Sequence, residues 1–322
     1  MGCVMHSFFK ILILGLILSA LSSRVQAEFT GHVSIINSVE FSANGKIALS
    51  GSWDWTMRLW EVESQKSLRR FKSHTLSVNS VTFSPDGKTA LSASADGTLK
   101  HWEIASGKVL QNFKGHSGMV TSVVFLNNGK QVLSGSTDKS LILWNLSTAA
   151  IEKRLFGHLG PVLSIDVPDQ PNVAFSSSYD GTIRRWDLNT ATTLKIFKGH
   201  NFNVNAAAVS RNGKILASGS VDETVKIWDA ESGEELKSLV GHAGFIASVK
   251  ISPDNQTLLS AGNDAIIRHW NIKTGRLLKS MVGHTKPIWT VAFSPDGKTA
   301  LSGGGDEVLR HWRLEDGSEI TN

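Results

Sequence analysis

The chain has 322 residues but only one cysteine, one tyrosine and seven prolines. The cysteine, Cys3, sits in a leading segment that reads as removable, so a processed chain would carry no thiol. That excludes disulfide frameworks, zinc–thiolate sites, haem attachment through C-x-x-C-H and cysteine nucleophiles together, and it leaves the redox compartment open. Charge of one sign is also scarce. There are 33 Lys and Arg against 28 Asp and Glu, and Lys10 and Arg24 belong to the first 27 residues, which leaves 31 against 28, a net of +3. Such a balance does not point to nucleic acid. No Gly-rich phosphate loop, H-E-x-x-H or EF-hand pattern occurs, so neither a cofactor nor a metal is expected. Long apolar runs are missing too. The one candidate, ILILGLIL at Ile11 to Leu18 extended to Leu21, is shorter than the roughly 20 residues a bilayer-crossing helix needs. With 41% hydrophobic and 19% charged residues, the composition is that of a globular protein long enough to bury a sizeable core.

Residues 1–27 have the layout of a secretory signal: a polar start ending at Lys10, the apolar stretch, then SSRVQA. Val25 and Ala27 are the small residues a signal peptidase reads, and the cut would expose Glu28. Cuts after Ala20 or Ser22, or retention as an anchor, are the alternatives. The start MGCVMHS fails as a myristoylation signal because His6 stands where Ser or Thr is needed.

What is abundant is tryptophan, ten residues against the single Tyr179, and its placement is periodic. Trp60, Trp102, Trp144, Trp186, Trp228, Trp270 and Trp312 recur at a step of 42. Three other columns keep that step without a slip: His32, His74, His116, His158, His200, His242 and His284, each but His74 preceded by Gly; Ser50, Ser92, Ser134, Ser176, Ser218, Ser260 and Ser302; and Asp54, Asp96, Asp138, Asp180, Asp222, Asp264 and Asp306. Between them lie short β-rich runs such as SVTFS, TALSAS, TLKHW and SLRRFK, separated by turns such as SPDGK. Four antiparallel strands per unit, with no helical period, predict an all-β fold: one seven-bladed β-propeller over residues 28–322.

These columns resemble the WD-repeat β-propeller family over essentially the whole of residues 28–322. Departures are small: Asp follows the Trp only at Asp187 and Asp229, Ser73 replaces a Gly, and Pro168 and Pro171 alter one turn. The resemblance implies that in each blade Asp accepts from His, His bonds Ser, and Ser bonds the Trp indole. Ser, His and Asp in one unit also suggest a hydrolase triad, but seven copies serve seven sheets better than one active site, so no catalytic residue is expected. His101, His269 and His311 precede their Trp residues, where structural histidines are the simpler reading than metal ligands. Asn145 and Asn255 begin glycosylation sequons that matter only in a eukaryotic host.

The resemblance also implies that partners dock on the face bearing the Gly-His loops and Asp turns. Three positions per blade point there: three and five after His, and one before Asp. Among them the apolar and aromatic candidates for partner binding are Ile35, Trp53, Met119, Leu163, Tyr179, Phe245 and Trp289. Phe245, Trp289, Trp53 and Ile35 should form one arc, because the seventh blade closes on the first. The expected function is an exported, non-catalytic, monomeric scaffold with a protein or peptide partner, without nucleic acid and without a membrane span once the signal is cut. A bacterial periplasm or cell envelope is the expected location, with secretion beyond it as a second destination. The alternatives are an enzyme or small-ligand binder using the central channel, or a cytoplasmic scaffold.

Removing 27 residues leaves 322 − 27 = 295, one more than seven steps of 42. Both ends therefore fall in the middle of an outer strand. Phe29 joins the apolar column Phe71, Phe113, Leu155, Phe197, Leu239 and Met281, while Ile320 fits the slot of Leu68, Leu110, Leu194, Leu236 and Leu278. The seventh outer strand should be shared, with Ser318 to Thr321 supplying its first half and Glu28 to Thr30 its second.

Overall fold

A computed structural model describes residues 29–126 and 129–321. The signal-like segment, its cut before Glu28, and Asn322 lie outside the described residues. In the first blade the strands are Ile36–Phe41, Ile47–Ser52, Thr56–Glu61 and Ser67–Lys72, paired antiparallel in sequence order. The second strand of each blade is buried along nearly its whole length, whereas the outer strand buries mainly its Phe or other apolar residue three before the His. That pattern follows from position, since a middle strand has sheets on both faces and an outer strand has water beside it. Tight turns join the strands, and Gly45, Gly87 and Gly297 take φ near +70°, which such hairpins require. The fourth blade keeps the same strand pairing despite Pro168 and Pro171.

Six blades are four-stranded, and the seventh contributes three strands, Ile288–Phe293, Thr299–Gly304 and Leu309–Arg313. Its fourth, outer position is filled by two separate segments, one at Phe29 and one at Glu319. Glu319 bridges to Trp312 and Phe29 bridges to Leu309, the registers held by Ser67 with Trp60 and by Phe71 with Met57 in the first blade. Ile320 N also donates to His311 O at 2.7 Å. The column spacing therefore gave both the blade count and the closure.

Blades adhere through apolar faces that cross each interface. Phe29 meets Trp60 of the first blade edge-on at 5.6 Å, as Phe71 meets Trp102 and Phe113 meets Trp144. The approach is close enough to dictate residue size. A Cβ at Gly135 would stand 2.6 Å from Val162 Cγ1 of the next blade, so this strand position accepts only small residues. Hydroxyls add polar clasps at the inner strands: Val81 N donates to Ser38 Oγ (3.1 Å), Ile165 N to Ser122 Oγ (3.1 Å) and Val39 N to Thr290 Oγ1 (3.1 Å). Among the described residues no helix is long and apolar enough to cross a membrane.

Candidate interaction face and central channel

The polar columns assemble one relay per blade. His Nδ1 lies 2.7–2.9 Å from the Asp carboxylate in six blades and 3.0–3.1 Å in the sixth. His Nε2 lies 2.7–2.8 Å from Ser Oγ in all seven. The Trp Nε1–H donates to the same Oγ at 2.7–2.8 Å. Donor arithmetic orders the chain. An indole can only donate, so the Ser hydroxyl proton turns to Nε2, and the remaining ring proton on Nδ1 goes to Asp. Burial works against ionisation of Asp138, but hydrogen bonds from Ser140, His116 and the backbone N–H of Ser117 outweigh it and hold the carboxyl at about 2. Burial pushes His116 down, and the bond to Asp138 only partly offsets it. The relay thus ties the loop before the inner strand to the second and third strands, with every group buried or nearly so.

The sixth blade differs. Its Asp264 lacks the hydroxyl donor that Thr56, Thr98, Ser140, Thr182 and Thr224 supply in blades one to five, because Ile266 occupies that position. Arg268 fills the gap, its Nη1 donating to Asp264 Oδ2 at 2.5 Å. His101, His269 and His311 lie in separate blades and each packs on a Phe of the following blade, Phe125, Phe293 and Phe41. Among the described residues no group of three or more His, Cys, Asp or Glu is arranged to hold a metal.

The loop-bearing face places the candidate partner-binding residues unevenly. Trp53, Met119 and Tyr179 are exposed, while Ile35, Leu163, Phe245 and Trp289 are half-buried. Phe245 and Trp289 meet at 5.5 Å between ring centroids, and Trp53 N donates to Ile35 O at 2.9 Å. The column five after His lines the mouth of the central channel, and several polar members of it are engaged between blades: Asn79 Nδ2 donates to Val120 O and Asn205 Nδ2 to Ile246 O, both at 2.9 Å. Leu163 and Trp289 stand in that column without such a bond to make.

Trp55 was not among the candidates, yet it is the most informative residue of the face. It is 52% exposed beside Trp53 at 49%, at a turn position that takes a left-handed φ in every blade and is filled elsewhere by Gly97, Lys139, Gly181, Glu223, Ala265 and Glu307. Val33, also exposed, adds to the same sector. The signal in the sequence was an apolar residue in a column that is small or polar elsewhere.

The channel, about 810 Å3, is walled by the inner strands of all seven blades. Four charged residues line it: Arg211, and Glu40, Asp166 and Lys250 in a column otherwise filled by Thr82, Val124, Ala208 and Ala292. Burial pushes Glu40 up to about 7 and raises Asp166 as well, with Lys250 opposing both shifts. Each carboxylate accepts from the next blade, Glu40 from Phe83 N (3.2 Å) and Asp166 from Val209 N (2.8 Å), so both act as clasps.

Seven radially arranged four-stranded sheets with this relay define a repeat propeller. The family model described as "WD domain, G-beta repeat" matches residues 23–61, 65–103, 107–145, 150–187, 191–229, 233–271 and 275–313, and the chain belongs to the WD-repeat family. Individual relatives match over about one repeat. The small ribosomal subunit protein RACK1 of Candida albicans is 49% identical over 43 residues, 13% of this chain and 14% of that protein. The protein of the same name from Caenorhabditis elegans is 48% identical over 42 residues, and the cross-pathway control WD-repeat protein 2 of Flammulina velutipes 45% over 42, each 13% of both chains. The chain thus spans only a small fraction of the length of the curated relatives it matches.

Proposed function

We propose that this protein is an exported, non-catalytic scaffold that binds a protein or peptide through the face bearing the Gly-His loops and Asp turns. The observation that carries the reading is the adjacent pair Trp53 and Trp55, both half-exposed, with Trp55 in a column that elsewhere holds only Gly, Ala, Lys and Glu. Large exposed aromatics anchor interfaces. Membership in a repeat family and the structural engagement of all seven His, Ser and Asp sets support a binding role over a chemical one. Export rests on the leading segment alone, with the envelope of a bacterium as the location. The reading of a small ligand in the channel draws on Glu40, Asp166 and Lys250, but both carboxylates already satisfy backbone N–H groups.

Affinity purification of the processed protein tests this reading, in parallel with Trp53→Ser plus Trp55→Gly. Specific partners should be captured by the parent chain and lost with the double variant, whose melting should match or exceed the parent's. Identical captures from both would refute the proposed face. Recovery of the protein in an extracytoplasmic fraction with Glu28 as its first residue would support export, and recovery of the uncut chain in the cytoplasm would refute it.

A further inference from the structure

Between the fourth and fifth blades the loop-bearing face is indented by a groove of about 560 Å3. Leu159, Tyr179 and Phe202 line it and are 81%, 58% and 59% exposed. The fold does not call for these side chains. Thr75 and Ser117 stand at the position of Leu159 in other blades, and Gly118 and Gly244 at that of Phe202. Three large apolar groups kept in water at optional positions are more stable when covered, by roughly 25 cal/mol for each Å2 removed from solvent.

The charge of the groove has one free sign. Its only carboxylate, Asp180, is turned inward and takes hydrogen bonds from His158 Nδ1 (2.9 Å), Leu159 N (2.9 Å) and Thr182 Oγ1 (2.6 Å). Lys198 and Arg184 also line the groove, and among the described residues neither forms an ion pair with an acid. Arg184 gives one hydrogen bond, from Nη1 to Thr193 Oγ1 at 3.0 Å, and lies over the Trp186 ring at 5.8 Å, while its Nε is buried without a hydrogen-bond partner. A complementary surface must therefore bring both apolar area and negative charge.

We propose that this groove docks an extended protein segment carrying an acidic side chain within two residues of a large apolar one. The carboxylate pairs with Lys198 and Arg184, and the apolar side chain covers Tyr179, Phe202 and Leu159. The inference rests on the protein-binding role argued above, but the groove lies across the ring from Trp53 and Trp55, so the two sites can fail independently.

The test is fluorescence anisotropy of the purified protein with labelled short peptides in which Asp or Glu lies one or two positions from Leu, Phe or Trp. A matched set carries Asn or Gln in place of the acids. The acidic set should bind, the amide set should bind about tenfold more weakly or not at all, and added salt should weaken the acidic set. Lys198→Glu should reduce acidic-peptide binding at least about tenfold, as should Tyr179→Ala plus Phe202→Ser. Trp53→Ser plus Trp55→Gly should leave it unchanged, which separates this groove from the aromatic sector of the first blade. All the positions are on the surface, so the variants should melt with the parent, and Lys198→Glu changes only one exposed side chain. Equal binding of the acidic and amide sets, full binding by Lys198→Glu, binding lost only in the Trp53 and Trp55 variant, or no binding of either set would each overturn the proposal.

Discussion

Deleting Glu319 to Asn322 opens the one blade whose outer strand is not continuous chain. Three interactions go with the described part of that segment: the bond from Ile320 N to His311 O at 2.7 Å that helps make the bridge of Glu319 to Trp312, the bond from Gln65 Nε2 to Ile320 O at 2.8 Å, and the ion pair of Arg310 with Glu319 at 2.6 Å. Each neutral hydrogen bond contributes about 1 kcal/mol net, and the partly exposed ion pair adds about 0.5 kcal/mol. The expected loss is about 2.5 kcal/mol. A domain of this size unfolds with roughly 2 cal/mol/K of entropy per residue, so that loss lowers the melting midpoint by about 4 °C. Differential scanning calorimetry at several scan rates, with urea unfolding as a second probe, measures it. A midpoint within about 1 °C of the parent would show that the C-terminal half-strand does not close the ring. The corresponding test of the other half is Phe29→Ala, a fully buried ring against Trp60 whose loss should cost about 3–5 kcal/mol.

Asp138→Ala leaves His116 Nδ1–H without its acceptor and should destabilise by about 1–3 kcal/mol, read as a shift in the urea midpoint; an unshifted midpoint would remove the relay from the account. His311 gives a pH dependence. Burial, with Arg313 adding to it, lowers this histidine from 6.5 to about 4, so the unfolded chain takes up a proton before the native one does. The stability of the neutral native form is complete above pH 6.5 and declines as pH falls towards 4, by about 3 kcal/mol at most. His311→Leu should flatten that part of a stability-against-pH curve, and a curve that keeps its slope would refute the assignment. Glu40 acts in the opposite sense: raised to about 7 from 4.5, it makes the native state lose stability as pH climbs through that window, and Glu40→Gln should remove the loss.

Much of the architecture was legible because one structural position had been copied seven times. The Trp, His, Ser and Asp columns carried the blade count, and the apolar column ending in Phe29 carried the closure register, which the bridge of Phe29 to Leu309 reproduces. The column of Leu68, Leu110 and Leu194 is exposed although its composition is that of a core, because it lies on the solvent side of the outer strands. Other features depend on distances between neighbouring blades that no single repeat encodes. Asn79 and Asn205 sit in a column of the docking face, yet they hold the next blade. Glu40 and Asp166 look like isolated acids until the ring places each beside a backbone N–H of its neighbour. Trp55, Leu159 and Phe202 lay in columns outside the three used to choose candidates, and their exposure appears only once the loops are placed.

Hydrogen exchange of the protein with and without its captured partner tests the interaction face most directly. The expected result is slowed exchange in the loops at 31–35 and 53–56, with the opposite turns at 43–46 and 85–88 unchanged. Protection confined to those opposite turns, or to the outer strands such as Ser67–Lys72, would contradict a partner seated on the Trp53 and Trp55 sector.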